Sequence, residues 1–398
     1  MAGKNLHLTH LEELPLIRGG EGLRIAIGFC EQLKQQLVSD SPGDLSVTVK
    51  WDGSPAIVCG MNPETNKFFV GTKSVFAKTE PKVNYTPADI RNNHPDEGLQ
   101  KILIQALKHL AKLGIPGVWQ GDLLFTPDMI KTQKIDGESY ITFQPNTIVY
   151  AIPHPSPLSA QILKAKLGIV FHTVYNGETL ESMTASFTIP DNALTPTKDV
   201  WVQDAQLKNE GERVMFSAKE AGEFTDQLLK VKQQARSLSV RFLNEFITRT
   251  DLMQLLLKTI NNEVRGNQSF TSKTASQVYR KFVLMTDELL SKQILAAKRP
   301  DTKQNRIKTK TMTLNYLREH QADLEKILII SGGLAELKTL AIRKFEKIQS
   351  VKGFLETSKG FKATSPEGFV AFSQKHGAVV KLVDRLEFSR ANFAQHRE

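Results

Sequence analysis

Residues 21–38, EGLRIAIGFCEQLKQQLV, place Leu23, Ile27, Cys30, Leu33 and Leu37 at helical spacing, which predicts an amphipathic helix. Ser41-Pro42-Gly43-Asp44 ends it. Short alternating or β-branched runs follow at 45–49, 56–59 and 67–70, and residues 61–66 between the last two read as a hairpin connection. Helical spacing returns over 97–113. Further strands are predicted at 117–125, 139–143, 147–152 and 169–175, with a short helix over 158–167 before the last. From about residue 218 to 350 the helical period dominates. Within that stretch Lys298–Lys310, KRPDTKQNRIKTK, reads as a polar, basic connector. The β pattern resumes at 368–372 and 378–383.

This texture predicts an α+β fold with antiparallel-rich sheets, interrupted by an all-helical insertion. The expected divisions are a core over 1–217, a basic helical insertion over 218–352 and the last core strands over 353–398.

Composition sharpens the division. Hydrophobic residues make up 40% of the 398 and charged residues 24%, so the chain can bury a core and global disorder is excluded. The formal net charge of +10 is not spread evenly. Residues 221–350 hold 23 Lys+Arg against 13 Asp+Glu, a surplus of 10, whereas the rest holds 29 of each sign. A neutral body with a basic segment points to an anionic polymer as partner. The plainer reading of that segment is a solvated helical surface. No apolar run approaches the roughly 18 residues needed to span a bilayer, and the N-terminal residues lack the apolar centre of a secretory signal. Two cysteines make neither a disulfide framework nor a zinc site. The expectation is a cytoplasmic monomer with reduced thiols and no membrane partner.

The segment with the most chemistry is Val47-Thr48-Val49-Lys50-Trp51-Asp52-Gly53-Ser54. A lysine closes an apolar strand and Asp-Gly follows. Alone, this pattern is common, and a strand-end lysine is ordinarily a solvated charge. An amine becomes a nucleophile near neutral pH when it is partly desolvated and close to other cations. Further elements follow in order: Thr72-Lys73-Ser74 after the next hairpin, Gln120-Gly121-Asp122-Leu123-Leu124-Phe125 on a strand, Phe143 to Tyr150 with aromatics, Glu367-Gly368 at a strand start, and Lys381 inside an apolar strand. Each has an ordinary structural alternative, such as a turn cap for Asp122 or a snorkelling side chain for Lys381. No phosphate-binding GxxxxGK[ST] loop, HExxH or GxSxG is present.

The ordered set resembles the covalent nucleotidyltransferase superfamily of ATP-dependent DNA ligases, RNA ligases and mRNA capping enzymes. The whole chain also resembles an uncharacterised family of tailed-phage proteins with the same VKWDG, GTKS and QGDLLF segments, which would place it in the phage-infected bacterial cytoplasm. The superfamily resemblance implies a core of ATP-grasp-like antiparallel sheets. It implies Lys50, Asp52 and Lys381 as catalytic residues, with Lys50 forming a lysyl-AMP. It implies Lys73, Asp122, Glu367 and Lys381 as nucleotide contacts, with ATP and Mg2+ (or Mn2+) as cofactors and Glu367 and Asp122 at the metal. An aromatic would stack on the base; Phe143, Tyr150 and Phe171 qualify, with Phe143 placed first. Asp122 stands where the superfamily usually has Glu, and Val383 where it has a second lysine, with Arg385 as a substitute. Lys298, Arg299, Lys303, Arg306, Lys308 and Lys310 are the expected nucleic-acid contacts.

The resemblance implies sealing of a 5′-phosphate to a 3′-hydroxyl, with nicked duplex DNA preferred for the size and charge of the insertion. RNA ligation is the alternative, because only 17 residues follow Lys381 and leave no room for the usual OB-fold. A capping-type guanylyltransferase and a binding protein without catalysis are the further alternatives.

Overall fold

The computed structural model describes residues 9–38, 45–49, 51, 53–186, 189–190, 193–203, 215–346, 352–357, 360–364, 368–373, 375–376 and 378–385. It is a mixed α+β protein with three sheets among the described residues. In chain order, β1 (Thr9–His10) and α1 (Leu14–Val38) lead to β2 (Leu45–Val49), β3 (Ala56–Met61) and β4 (Phe68–Gly71). Next come α2 (Pro87–Asn93), α3 (Glu97–Leu110), β5 (Val118–Phe125), β6 (Lys131–Ile135), β7 (Glu138–Phe143) and β8 (Val149–Pro153). Then follow α4 (Pro157–Lys164), β9 (Leu167–Asn176), β10 (Thr184–Ser186) and β11 (Val200–Gln203). The helical run comprises α5 (Ala218–Ser237), α6 (Val240–Thr248), α7 (Thr250–Arg265), α8 (Ala275–Leu295), α9 (Pro300–Glu319) and α10 (Gln321–Glu346). It is followed by β12 (Lys352–Thr357), β13 (Gly360–Thr364), β14 (Phe369–Ser373) and β15 (Ala378–Leu382).

The chain divides into two compact units, and the division differs from the sequence boundaries. The first is built within 47–208 and 349–368; the second joins 8–46, 209–348 and 369 onward. Helix α1 and strands β14 and β15 therefore group with the helical run. The reason for α1 is its apolar face: Leu23, Phe29, Leu33 and Leu37 are buried, and the helix packs on α5, α6 and α10.

In the first unit a six-stranded sheet runs β10-β9-β5-β3-β4, with β11 joining β9 in parallel. The β3–β4 hairpin forms over the predicted connection, with Met61 opposite Phe68 and Asn66 at a φ of 50°. Helix α3, N-capped by Asp96, buries Leu103, Ala106 and Leu110 against Ile57, Cys59, Trp119, Leu123, Ile169 and Phe171 on one sheet face. A five-stranded sheet runs β13-β12-β8-β7-β6. Strands β6, β12 and β13 lie outside the sequence expectations: β6 reads as polar because Lys131, Thr132 and Lys134 are exposed.

The second unit is mostly helical. Its long α10 carries Gly332 mid-helix, where glycine weakens a helix; a Cβ there would run into the backbone of Thr271 and Ser272. Its sheet runs β1-β15-β14-β2, with β2 leading on into the first unit. The predicted connector over 298–310 is instead the turn after α8 and the first half of α9. Pro300 in the first turn pre-sets the helical φ and Asp301 there complements the helix dipole, while lysines favour a solvated helix.

The second unit also contains a buried ion network that has no apolar signature in sequence. Lys338 Nζ on α10 lies 2.6 Å from Glu12 Oε1, with the side chains 3% and 2% exposed. Arg385 Nη1 lies 2.8 Å from Glu13 Oε1 and 3.5 Å from Glu12 Oε1, and its other arm donates to Asn261. Burial alone would raise Glu12, but Lys338, His10 and Arg385 outweigh it and hold the carboxyl at about 2. Burial, with Lys338, Arg385 and Lys381 nearby, pushes His10 down to about 3 against the pull of Glu12. Both shifts bind fewer protons in the fold than in the unfolded chain, so both stabilise at neutral pH. The His10 contribution should fade as pH falls from 6.5 toward 3, and that of Glu12 from 4.5 toward 2. Glu13, pushed up by burial, opposes them above 4.5. Denaturant midpoints at pH 7, 5 and 3.5 should fall in that order; a flat series would show the network to be neutral.

Candidate functional site

The centre of the first unit's six-stranded sheet is β5, and side chains alternate faces along it. Trp119 and Leu123 join the α3 face. On the other face Val118 belongs to an apolar cluster with Val58, Phe69, Val75, Tyr175 and Met183. Leu124 belongs to another, with Trp51, Phe125, Phe143, Tyr150, Ile152 and Trp201. Between these clusters the alternation leaves Gln120 and Asp122. Across the ladder, Gln120 faces Val58 and Thr173, and Asp122 faces Ala56 and Val170. The result is a short polar strip flanked by apolar ground on the same sheet face.

Each member of the strip is held. Tyr175 Oη donates to Gln120 Oε1 at 2.7 Å, and burial pushes that phenol up to about 12, so it stays a donor. A register shift in β5–β9 after Gln120 leaves His172 without a ladder partner between Phe171 and Thr173. His172 Nε2 lies 3.4 Å from Asp122 Oδ2, and its Nδ1 lies 2.8 Å from Thr173 Oγ1. The Asp122 and His172 side chains keep 23% and 34% of their surface in solvent, so the pair is accessible. The sequence carries no spacing signal for His172, because a bulge that re-aims one side chain leaves none.

The turn after the predicted nucleophile lies on this strip. Ser54 donates its N–H to Leu123 O at 2.9 Å, and Leu123 donates back to Pro55 O at 3.1 Å. Gly53 approaches so closely that a Cβ would stand 2.5 Å from Asp122 Cβ and 2.8 Å from Leu123 O. Trp51 is 7% exposed, its ring 4.7 Å from that of Tyr150 and 6.1 Å from that of Trp201. Its indole Nε1 has no hydrogen-bond partner among the described residues.

The other predicted positions fare differently. Lys50, Asp52 and Glu367 lie outside the described residues. Lys73 is exposed at the start of the 3-10 turn that Thr72 caps after β4. Phe143 is a core residue rather than an open stacking face: it is 1% exposed, with rings of Phe125, Tyr150 and Trp201 at 4.9, 5.5 and 6.3 Å. Tyr150 and Phe171 are buried likewise. In the second unit Lys381 is half-buried on β15, in register with His10 and Val370. Arg385 is tied to Glu12, Glu13 and Asn261, and Val383 is buried, so neither is a free cation in place of a second lysine.

The six basic candidates of the helical run also separate. Lys310 Nζ is 2.8 Å from Asp287 Oδ1 and 2.8 Å from Ser291 Oγ, and Arg306 donates to the Gln293 carbonyl. Those two tie α9 to α8. Lys298, Arg299, Lys303 and Lys308 are exposed and make no ion pair with the described residues.

Among the described residues, no group of three or more His, Cys, Asp or Glu could hold a metal ion, and no helix is long and apolar enough to cross a membrane. Cys30 and Cys59 are buried and free, and burial raises both thiols. A family model, described as a family of unknown function (DUF6267), matches residues 5–397. The chain belongs to this family. The match spans both units of the DUF6267 chain. No curated protein and no solved structure matches it significantly.

Proposed function

We propose that the chain is an ATP-dependent polynucleotide ligase that works through a lysyl-AMP at Lys50. The Lys50 amine attacks the α-phosphate of ATP and pyrophosphate leaves. The AMP passes to a 5′-phosphate end, and a 3′-hydroxyl then displaces it to form the phosphodiester. The observation that carries this reading is the turn at 53–55, bonded onto Leu123 with Gly53 against Asp122. It ties the segment just after the nucleophile to the strand that holds the predicted ribose or metal carboxylate. Gly53 follows the proposed nucleophile in the chain, and Asp122 stands where the superfamily usually has Glu.

Asp122 beside His172 does not make a protein cage for a metal. It fits Mg2+ bound through one carboxylate and the nucleotide's own phosphates, the usual manner for that ion. When bound, the ion would neutralise charge developing on the phosphates. Asp122 would hold it or the ribose, with His172 fixing the carboxylate's orientation. Lys73, exposed after β4, would attract the polyphosphate. A nicked DNA duplex is the preferred substrate for the basic helical run, and nicked RNA is the second reading.

Incubation with α-labelled ATP should give a covalent AMP adduct that Lys50→Ala abolishes. A GMP adduct from labelled GTP would indicate a capping-type enzyme instead. Label from neither nucleotide would rule out ligation and leave a binding protein. Nicked DNA, RNA and hybrid substrates then decide the strand type.

A further inference from the structure

We propose that the outer part of the α8–α9 hairpin is an arm that grips the phosphate backbone of duplex nucleic acid without reading its sequence. From Asp287 to Tyr316 no residue is buried, although Thr286 and Leu317 on either side are. The arm therefore lacks a core. Its helices are joined by the Lys310–Asp287, Lys310–Ser291 and Arg306–Gln293 contacts, and at its base Tyr279 Oη donates to Leu317 O at 2.8 Å. Helices without an apolar seam gain little from packing, so this element is not held for the sake of the fold.

What it presents is charge. Residues 287–316 contain seven Lys or Arg against three carboxylates, Asp287, Glu288 and Asp301. Two of the seven are used within the hairpin, and the exposed Lys298, Arg299, Lys303 and Lys308 cluster at the turn and along α9. Twenty residues of α9 span about 30 Å, a length over which duplex DNA displays many phosphates. Ile307, Met312 and the 81%-exposed Leu295 leave apolar surface between the cations. On α9 the apolar positions 307, 312 and 314 do not share one stripe, whereas a helix lying on an anionic membrane needs a single apolar face. A nucleic-acid backbone makes no such demand.

The choice of a duplex rests on the ligase reading; the arm itself does not. The test is fluorescence anisotropy of the full chain on a labelled nicked DNA duplex and its RNA counterpart, without ATP, from 50 to 300 mM KCl. Four substitutions, Lys298→Gln, Arg299→Gln, Lys303→Gln and Lys308→Gln, should reduce the log Kd against log salt slope by about 3 to 4, since each lost phosphate contact removes about 0.9. Affinity at 100 mM should fall at least tenfold. Lys308→Glu alone should reduce the slope by about 1 or more by the same rule. A charge-matched set in the same helical run, Lys230, Arg241, Lys258 and Lys273 to Gln, should change it by less than 1. The proposal is overturned by an arm variant with an unaltered slope, by equal losses in both sets, or by loss of binding to phosphatidylserine vesicles while duplex binding persists. A wild-type chain that forms no AMP adduct yet loses its salt slope with the arm would sink the ligase reading alone.

Discussion

Lys338→Met should lower the unfolding free energy by about 3–5 kcal/mol, because it strips a buried carboxylate of its main counter-charge. Glu12 is 2% exposed, and its Oε2 has no hydrogen-bond partner among the described residues. Among the described residues, Arg385, at 3.5 Å and shared with Glu13, and His10 would remain beside it. Glu12 would then take up a proton far above its present value of about 2, and the acid limb of the stability profile should move toward neutral pH. At roughly 2–4 °C per kcal/mol for a unit of this size, the melting temperature should drop by about 6–20 °C. The double change Glu12→Leu with Lys338→Met removes both charges and should recover most of the loss, since a buried pair weighed against an apolar replacement is often near neutral. A melting curve for Lys338→Met that overlays the wild type would mean that water reaches Glu12.

Gly53→Ala should cut the rate of AMP adduct formation by about 100-fold, the scale of loss when reacting groups are displaced by about 1 Å. The added methyl would meet Asp122 Cβ at 2.5 Å and Leu123 O at 2.8 Å. Neither neighbour is the free end of a flexible side chain. The turn must lift, weakening the Ser54–Leu123 bond and shifting the chain that leads back to Lys50. Overpacking of this kind costs about 1–3 kcal/mol, so the variant should fold. Gly222→Ala on α5, where nothing lies within 4 Å of the added carbon, is the matched control and should leave adduct formation intact. Full-rate adduct formation by Gly53→Ala would separate this turn from the chemistry and remove the observation on which the ligase reading leans.

Periodicity carried α1 and α3 because each buries one regular face, and short apolar runs carried β3, β4 and β5, which are buried on both faces. It missed the β12–β13 hairpin, whose strands carry a mixed pattern, and it mistook the first half of α9 for a connector. A helix with almost no buried face has no stripe to display, and only Pro300 and Asp301 announce it.

The candidate site divides along the same line. The order of Lys50, Lys73 and Asp122 along the chain, and the confinement of the +10 surplus to one segment, are properties of sequence alone. Other features arise from pairings between distant strands or helices: the closeness of Gly53 to Asp122, the bulge that turns His172 toward it, the burial of Phe143 and the capture of Arg385 by Glu12 and Glu13. Local pattern fixes which face of an element is apolar. Which polar groups then meet, and which aromatics are sealed from solvent, depends on register and packing across tens or hundreds of residues, and only the tertiary structure decides it.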